Sequence, residues 1–232
     1  TLKSRKFLIS TGAGPVVPVP LLQAAQTANL TVSTYRSFLN PETNPLWNML
    51  SNAGDRSLRL VVVGGGATAC EWIQSLTRMG NVRIEWVAPA ILPDEDVSLR
   101  RAAMQLLVGD SVTWHQGRVV DIGSNKTIYI SNQSSTTNVD AVLFCLGRAA
   151  ATSKLELNNA GVVCDEHGRI RVKKKSLQSV SNRHVYAAGD CCDLPPRWRS
   201  ASQAACTGFH AVRNLKLPWM FWGSGSIHPN IP

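Results

Sequence analysis

Within LRLVVVGGGATACEW, from Leu58 to Trp72, Gly64, Gly66 and Ala69 meet the spacing G-x-G-x-x-G/A. In such a loop the first glycine permits a tight turn and the second lets phosphate groups reach the backbone. The small third residue lets a helix pack closely on its strand. Free N–H groups and the positive end of the helix dipole would then face the anion. Gly64, Gly65, Gly66, Ala67, Thr68, Ala69, Cys70 and Glu71 therefore form a candidate pyrophosphate cradle. A bare turn is the bland alternative, and the buried-strand pattern before the glycines with a helical pattern after them favours the cradle. About 20 residues further on, such sites carry an acid for the ribose of NAD or an arginine for the phosphate of NADP. Glu85, Trp86 and Val87 stand there, so the choice between the two stays open.

A second candidate is HVYAAGDCC, where Gly189 and Asp190 follow an apolar strand. A carboxylate at a strand's carboxyl end accepts hydrogen bonds from a sugar or ribityl hydroxyl. Taken alone, Gly-Asp reads equally well as a turn. The six cysteines, Cys70, Cys145, Cys164, Cys191, Cys192 and Cys206, form neither C-x-x-C nor C-x4-C. That leaves no metal knuckle or adjacent redox pair, and such usage suits a reducing compartment. Cys70 and Cys145 read as small core hydrophobes, and Cys191 and Cys192 as structural, since adjacent cysteines form only a strained disulfide. His115, His184 and His210 read as packed or surface residues. No metal ligand and no catalytic residue is assigned.

These residues need elements to hold them. With 44% hydrophobic and 17% charged residues the chain reads as an ordinary globular protein, long enough for one large or two small domains. No apolar run approaches the ~20 residues of a membrane span, so no membrane partner is expected. The net charge of +9 fits anionic small ligands. Nucleic acid is not expected, because Lys173, Lys174 and Lys175 lack interleaved aromatic residues and read as a solvated strand end. The start at Thr1, with Lys3 to Lys6 running into Phe7, reads as an internal edge of a longer polypeptide.

Period and punctuation predict a strand at Phe7 to Ser10 and a proline-rich extended segment. A polar connector comes next, from about Leu21 to Arg56, with a short helix over Leu46 to Leu50. Strand Leu58 to Val63, helix Ala67 to Met79 and strand Val82 to Val87 make a parallel, right-handed βαβ unit. Helix Val97 to Val108 has Leu99, Ala102, Ala103, Leu106 and Leu107 on one face. Strands are then expected at Val112 to His115, Arg118 to Ile122, Thr127 to Ser131 and Ala141 to Cys145, with SNQSSTTN as a hairpin or meander turn. Strands at Ile170 to Val172 and Val185 to Ala187 precede a last helix, Ala201 to Leu215.

The order of motifs FLISTGAGPVVP, VVVGGGATACEW, APAILPDEDVSLRRAAMQLL, VDAVLFCLGR, GVVCDEHGRIRV and HVYAAGDCC resembles the pyridine nucleotide-disulfide oxidoreductases. These flavoproteins include glutathione reductase, dihydrolipoyl dehydrogenase and mercuric reductase. The resemblance covers Phe7 to Leu215, and ILP with its acidic followers, and LPW at Leu217 to Trp219, look most like the last two. It implies an α/β fold in which a Rossmann-like NAD(P)-binding domain, residues 55–145, is inserted in a partial FAD-binding domain, residues 1–54 and 146–215, before a tail at 216–232. By position, Thr11, Gly12 and Ala13 match the Thr-Gly turn beside the FAD. Asp190, after Gly189, matches the aspartate of the ribityl chain. Gly64 to Glu71 match the NAD(P) loop, and Val119 and Gly147 positions lining the nicotinamide nucleotide. Arg199, Ser200, Ala201 and Ser202 match a segment along the flavin.

The chain also departs from the family pattern. Ala150 and Ala151 replace the usual Pro-Asn, Trp86 replaces the strand-end acid, and MFWGSGSIHPNIP replaces the run into an interface domain. The redox C-x4-C, expected earlier in the family's sequence, and the His-Glu pair, expected later, do not occur in these residues. The resemblance implies FAD, NAD or NADP as cofactors, homodimers for full-length members, and hydride transfer from NAD(P)H to FAD and on to a disulfide or related acceptor. Alone, these residues are expected to bind dinucleotides weakly and not turn over. The alternatives are a non-catalytic nucleotide-binding fragment and a single-flavin NADH dehydrogenase or monooxygenase without a redox disulfide. Trp198, Trp219 and Trp222 read as a substrate entry or dimer contact, or as an exposed patch.

Overall fold

The computed structural model describes residues 3–40, 42, 44–195 and 199–216; Trp198, Trp219, Trp222 and the LPW triplet lie outside them. In chain order the elements are β1 (Phe7–Ile9), β2 (Ala13–Pro15), α1 (Val19–Thr27), β3 (Thr31–Thr34), α2 (Tyr35–Phe38) and α3 (Pro45–Ser51). Next come β4 (Leu58–Val63), α4 (Ala67–Arg78), β5 (Val82–Ala88), α5 (Val97–Leu107), β6 (Val112–Gln116) and β7 (Val119–Ile122). The chain continues with β8 (Ile128–Ile130), β9 (Ser135–Thr136), β10 (Ala141–Phe144), β11 (Arg148–Ala150), β12 (Val185–Ala187) and α6 (Ala201–Lys216). Two compact units result, one of residues 15–147 and one of residues 1–14 with 148–232.

In the first unit β3, β10, β4, β5 and β6 lie side by side in that order, and all are parallel. Parallel strands are covered on both faces, so β4 reads LRLVVV with no polar alternation. Its side chains nevertheless divide by parity. Leu58, Leu60 and Val62 join Ile73 and Leu76 of α4 and Leu46 of α3. Val61 and Val63 join Leu21 and Ala25 of α1 and the inner residues of the antiparallel β7–β8–β9 meander. Ala69, Ile73 and Leu76 recur at helical spacing and are fully buried, which seats α4 on the sheet. Within residues 21–56, expected as a connector with a short helix over Leu46 to Leu50, that helix forms as α3, whereas most of α1, all of β3 and all of α2 lie outside that expectation. The prolines suggest extended chain, but Pro18 caps α1 and Pro20 lies in its first turn, where no N–H is needed. The short TVST strand is held by β10 on one side, and its buried Ser33 donates to Asn44 Oδ1 at 2.9 Å.

The apolar face expected for α5 is also corrected. Ala103 and Leu107 pack on the core, Leu99 and Ala102 are exposed, and Leu106 is 76% exposed. This one inward pair packs α5 against the core cluster that Trp114 also borders.

In the second unit β1 pairs in parallel with β12, and a further two-stranded sheet joins β2 to β11. The strand expected at Ile170 to Val172 does not form. Single bridges join Ile170 to Cys164 and Cys192, and Val172 to Ser179, because three passages of the chain meet there at isolated residues. Lys173, Lys174 and Lys175 are exposed in the turn after them. The core gathers Leu157, Ile170, Leu177, Ala187 and the fully buried Cys191 and Cys192.

Ile73→Ala should lower unfolding free energy by about 2–5 kcal/mol, and Leu106→Ala by no more than about 0.5 kcal/mol, in urea titrations. Burial pushes the Cys145 thiol from 9.0 up to about 12. The folded state thus disfavours the thiolate, so this contribution is intact below pH ~9 and is lost at about 1.4 kcal/mol per unit as pH rises toward 12. Cys145→Ala should show a shallower loss of stability over that window in denaturation series at fixed pH.

Candidate functional site

The carboxyl end of β4 runs into Gly64 at φ 126°, a backbone that L side chains rarely adopt. A Cβ at Gly64 would lie 2.2 Å from the Cys145 carbonyl oxygen, and one at Gly65 would lie 1.9 Å from that of Ala90. Neither position admits a side chain. Gly65 is a free position in the sequence pattern, yet here it is constrained as tightly as Gly64. Gly66 differs, since a Cβ there meets nothing within 4 Å. It is the N-cap of α4, with no side-chain cap and no acid in the first turn. The helix end therefore keeps free N–H groups and an uncompensated positive dipole beside open space, as an anion requires.

A cavity of about 490 Å³ opens at this loop, lined by Gly64, Gly65, Gly66, Ala67 and Thr68. Val119 and Gly147, matched to the family by position, line the same cavity. Ala69 instead faces the core, Cys70 is half-buried with its thiol pushed up by burial, and Glu71 is exposed on the helix, away from the cavity wall. Cys145, Arg118, Asp94, Pro89 and Ala90 also reach the cavity, and no sequence motif marks them as cavity residues. Parallel strands bring them there: β4 and β10 end side by side, and Cys145 N donates to Val63 O at 2.8 Å. Ligand crevices in open α/β sheets form at such carboxyl ends.

The strand-end position holds no free carboxylate. Trp86 is fully buried, and its indole N–H donates to the Gly64 carbonyl at 2.7 Å, tying β5 to the loop. Glu85 pairs with His115 at 2.6 Å and with Arg59 at 3.5 Å, so both its oxygens are engaged across the sheet.

In the other unit Gly12, Gly189, Asp190, Ser200 and Ala201 line a hollow of about 340 Å³. Asp190 is buried. One oxygen, Oδ2, pairs with Arg148 Nη2 at 2.6 Å, and the other, Oδ1, is buried with no hydrogen-bond partner. An unpaired buried carboxylate oxygen costs free energy until a donor meets it, and a ligand hydroxyl supplies one. Gly189 is held from behind, its N–H donating to Thr207 Oγ1 at 3.0 Å. In the sequence Arg148 is visible only as half of a Gly-Arg pair, and its partner is 42 positions away (190 − 148), beyond any local signal. Thr11, Ala13, Arg199 and Ser202 do not line this hollow. Thr11 borders a separate groove along β1, Arg199 donates to the Leu194 carbonyl at 3.1 Å, and Ser202 hydrogen-bonds Ser200.

The remaining candidates have structural partners. Cys191 Sγ lies 3.2 Å from the Ala188 carbonyl, and the hydrogen bond with Cys191 together with burial holds the Cys192 thiol far above its usual range. His184 contacts the Arg5 carbonyl and His210 that of Lys175. All six cysteines are free thiols, and no cluster of potential metal ligands occurs among the described residues. Nor is any described helix long and apolar enough to cross a membrane.

The residues present fit two nucleotide groups, through a phosphate cradle no side chain obstructs and a buried acceptor awaiting a donor. Comparison with known proteins agrees. The family described as pyridine nucleotide-disulphide oxidoreductase matches residues 1–205. A dihydrolipoyl dehydrogenase of Chlamydia muridarum is 25% identical over 223 residues, which cover 92% of this chain and 43% of that protein. A soluble pyridine nucleotide transhydrogenase of Mycobacterium bovis is 26% identical over 162 residues, 66% of this chain and 33% of that one. Among solved structures, an NAD-dependent persulfide reductase from A. fulgidus shares the fold with a TM-score of 0.75 at 19% identity, over 97% of this chain and 41% of that one. The chain thus spans less than half the length of these relatives. With its family pattern matched over most of its length, the chain belongs to the pyridine nucleotide-disulfide oxidoreductases.

Proposed function

We propose that this chain supplies the nicotinamide dinucleotide site and part of the FAD site of an oxidoreductase that passes a hydride from NADH or NADPH to FAD and on to a disulfide or related acceptor. The observation that carries the reading is the loop in which Gly64 and Gly65 are closed to any side chain while Gly66 opens on the cavity. In this reading the unit of residues 15–147, wider than the 55–145 expected from sequence, holds the nicotinamide dinucleotide, and the other unit contributes to the flavin site. The names of the relatives, dihydrolipoyl dehydrogenase and pyridine nucleotide transhydrogenase, support it. Homodimer formation, implied by the family resemblance, belongs to the same proposal.

Each residue's part is set by its place. The N–H groups of Gly66 and the first turn of α4 hold the pyrophosphate, with Thr68 at the cavity wall. Val119 and Gly147 border the rest of the dinucleotide. Asp190 Oδ1 accepts a hydroxyl of the flavin's sugar chain, while Arg148 neutralises Oδ2 and fixes the carboxylate. Ser200 and Ala201 border the same group. When bound, the nicotinamide supplies the hydride and the flavin the electron acceptor.

Gly66→Val should preserve the fold, because its Cβ meets nothing within 4 Å, yet place a side chain where the phosphate sits. Binding of NADH and NADPH, read by tryptophan quenching, should disappear while the effect of FAD persists. Asp190→Ala should do the reverse. Loss of both ligands in either variant with an intact melting transition, or wild-type protein that responds to no dinucleotide at millimolar concentration, would sink the proposal.

A further inference from the structure

The end of β5 lacks the group that selects NAD. A carboxylate there accepts the ribose 2′-hydroxyl and repels a 2′-phosphate. Trp86 occupies the position and uses its only donor on the Gly64 carbonyl at 2.7 Å. Glu85 cannot substitute, because His115 and Arg59 engage both its oxygens. The surface beyond β5 is basic instead. Pro89 and Ala90 line the glycine-loop cavity, whose wall also carries Arg118. The same Pro89 and Ala90 line a second hollow of about 370 Å³, which Arg100 and Arg101 border. The Nε of Arg100 is buried and makes no hydrogen bond. Two guanidinium groups therefore border a small hollow next to the cradle, and a guanidinium receives anionic oxygens.

Acids are present too, but neither Glu95 nor Asp96 lines either hollow. Asp96 caps α5 by accepting from Leu99 N at 3.0 Å and from Ser98 Oγ. Among the described residues only Asp94 brings a carboxylate to the glycine-loop cavity, against Arg118 on the same wall and the two arginines beyond Ala90. The charged residues lining the two hollows are therefore three arginines and one carboxylate.

We infer that the dinucleotide taken by this site carries a 2′-phosphate, so that NADPH is preferred to NADH, with Arg100 and Arg118 receiving the phosphate and Trp86 standing where the discriminating acid would be. The inference rests on the cradle reading of the glycine loop.

Tryptophan-fluorescence titrations of the chain with NADPH and NADH, and with 2′,5′-ADP and 5′-AMP, separate the two claims. The 2′-phosphorylated member of each pair should bind about tenfold more tightly or better, the scale of one charge-assisted hydrogen bond. The preference should shrink as salt rises. Arg100→Gln and Arg118→Gln should weaken NADPH and 2′,5′-ADP while leaving NADH and 5′-AMP within about twofold, with melting temperature unchanged. Equal affinities, tighter NADH, or arginine variants that weaken both members equally would overturn the 2′-phosphate assignment and leave the cradle standing. Failure of all four ligands to bind would overturn the cradle and this assignment with it.

Discussion

Two backbone contacts, Gly64 against the Cys145 carbonyl and Gly65 against that of Ala90, fix the geometry on which the rest of this site depends. They bring the ends of β4 and β10 and the turn after β5 to one point with no room for a side chain. Hydrogen bonds then close the arrangement. Gly64 N donates to Val87 O at 3.0 Å, Leu92 N donates to Gly65 O at 2.6 Å, and Trp86 Nε1 donates to Gly64 O. These bonds satisfy the Gly64 N–H and the carbonyls of Gly64 and Gly65 within the protein, while Gly66 opens on free space at the uncapped start of α4. A loop tied down on its inner side, beside a helix N-terminus with no side-chain cap, has the geometry that an anion site requires.

The second unit reaches a similar end with side chains. Burying Asp190 would be costly unless its charge were met, and Arg148 meets half of it at 2.6 Å. Arg148 is itself nearly half exposed, so the pair draws on solvent as well as on the hollow. The Asp190 Oδ1 stays buried and unpaired, an acceptor that the protein does not itself satisfy.

The legible parts of the chain are those where one local pattern decides the outcome. The run LRLVVV, the spacing of Ala69, Ile73 and Leu76, and the glycines between them specify a strand, a helix and a turn without help from elsewhere. Within residues 21–56 the helix at Leu46 to Leu50 is legible, but α1 and β3 are not, because TVST becomes a strand only through β10, more than a hundred positions later, and Pro18 and Pro20 look like extended chain until Leu21 and Ala25 find the sheet. Leu106 fits the helical stripe of α5 but is left exposed, while Ala103 and Leu107 pack on the core. At the site, the glycine loop and Asp190 are readable as motifs. Arg118, Arg100 and Arg148 are not, since a lone arginine has no pattern and acquires meaning only from what the fold sets beside it.

Trp86 shows why that distinction matters. In the sequence it is only a departure, an apolar residue where an acid belongs. Within the fold it serves the backbone that an acid would not, holding the Gly64 carbonyl while filling the core beside β4. Exchanging a carboxylate for an indole removes one negative charge from beside a cavity wall that already carries Arg118. At a few ångströms and an effective dielectric of about 20, one unit charge shifts the energy of a bound phosphate by several kcal/mol before screening. The same side chain therefore both ties β5 to the glycine loop and leaves that strand end without a negative charge.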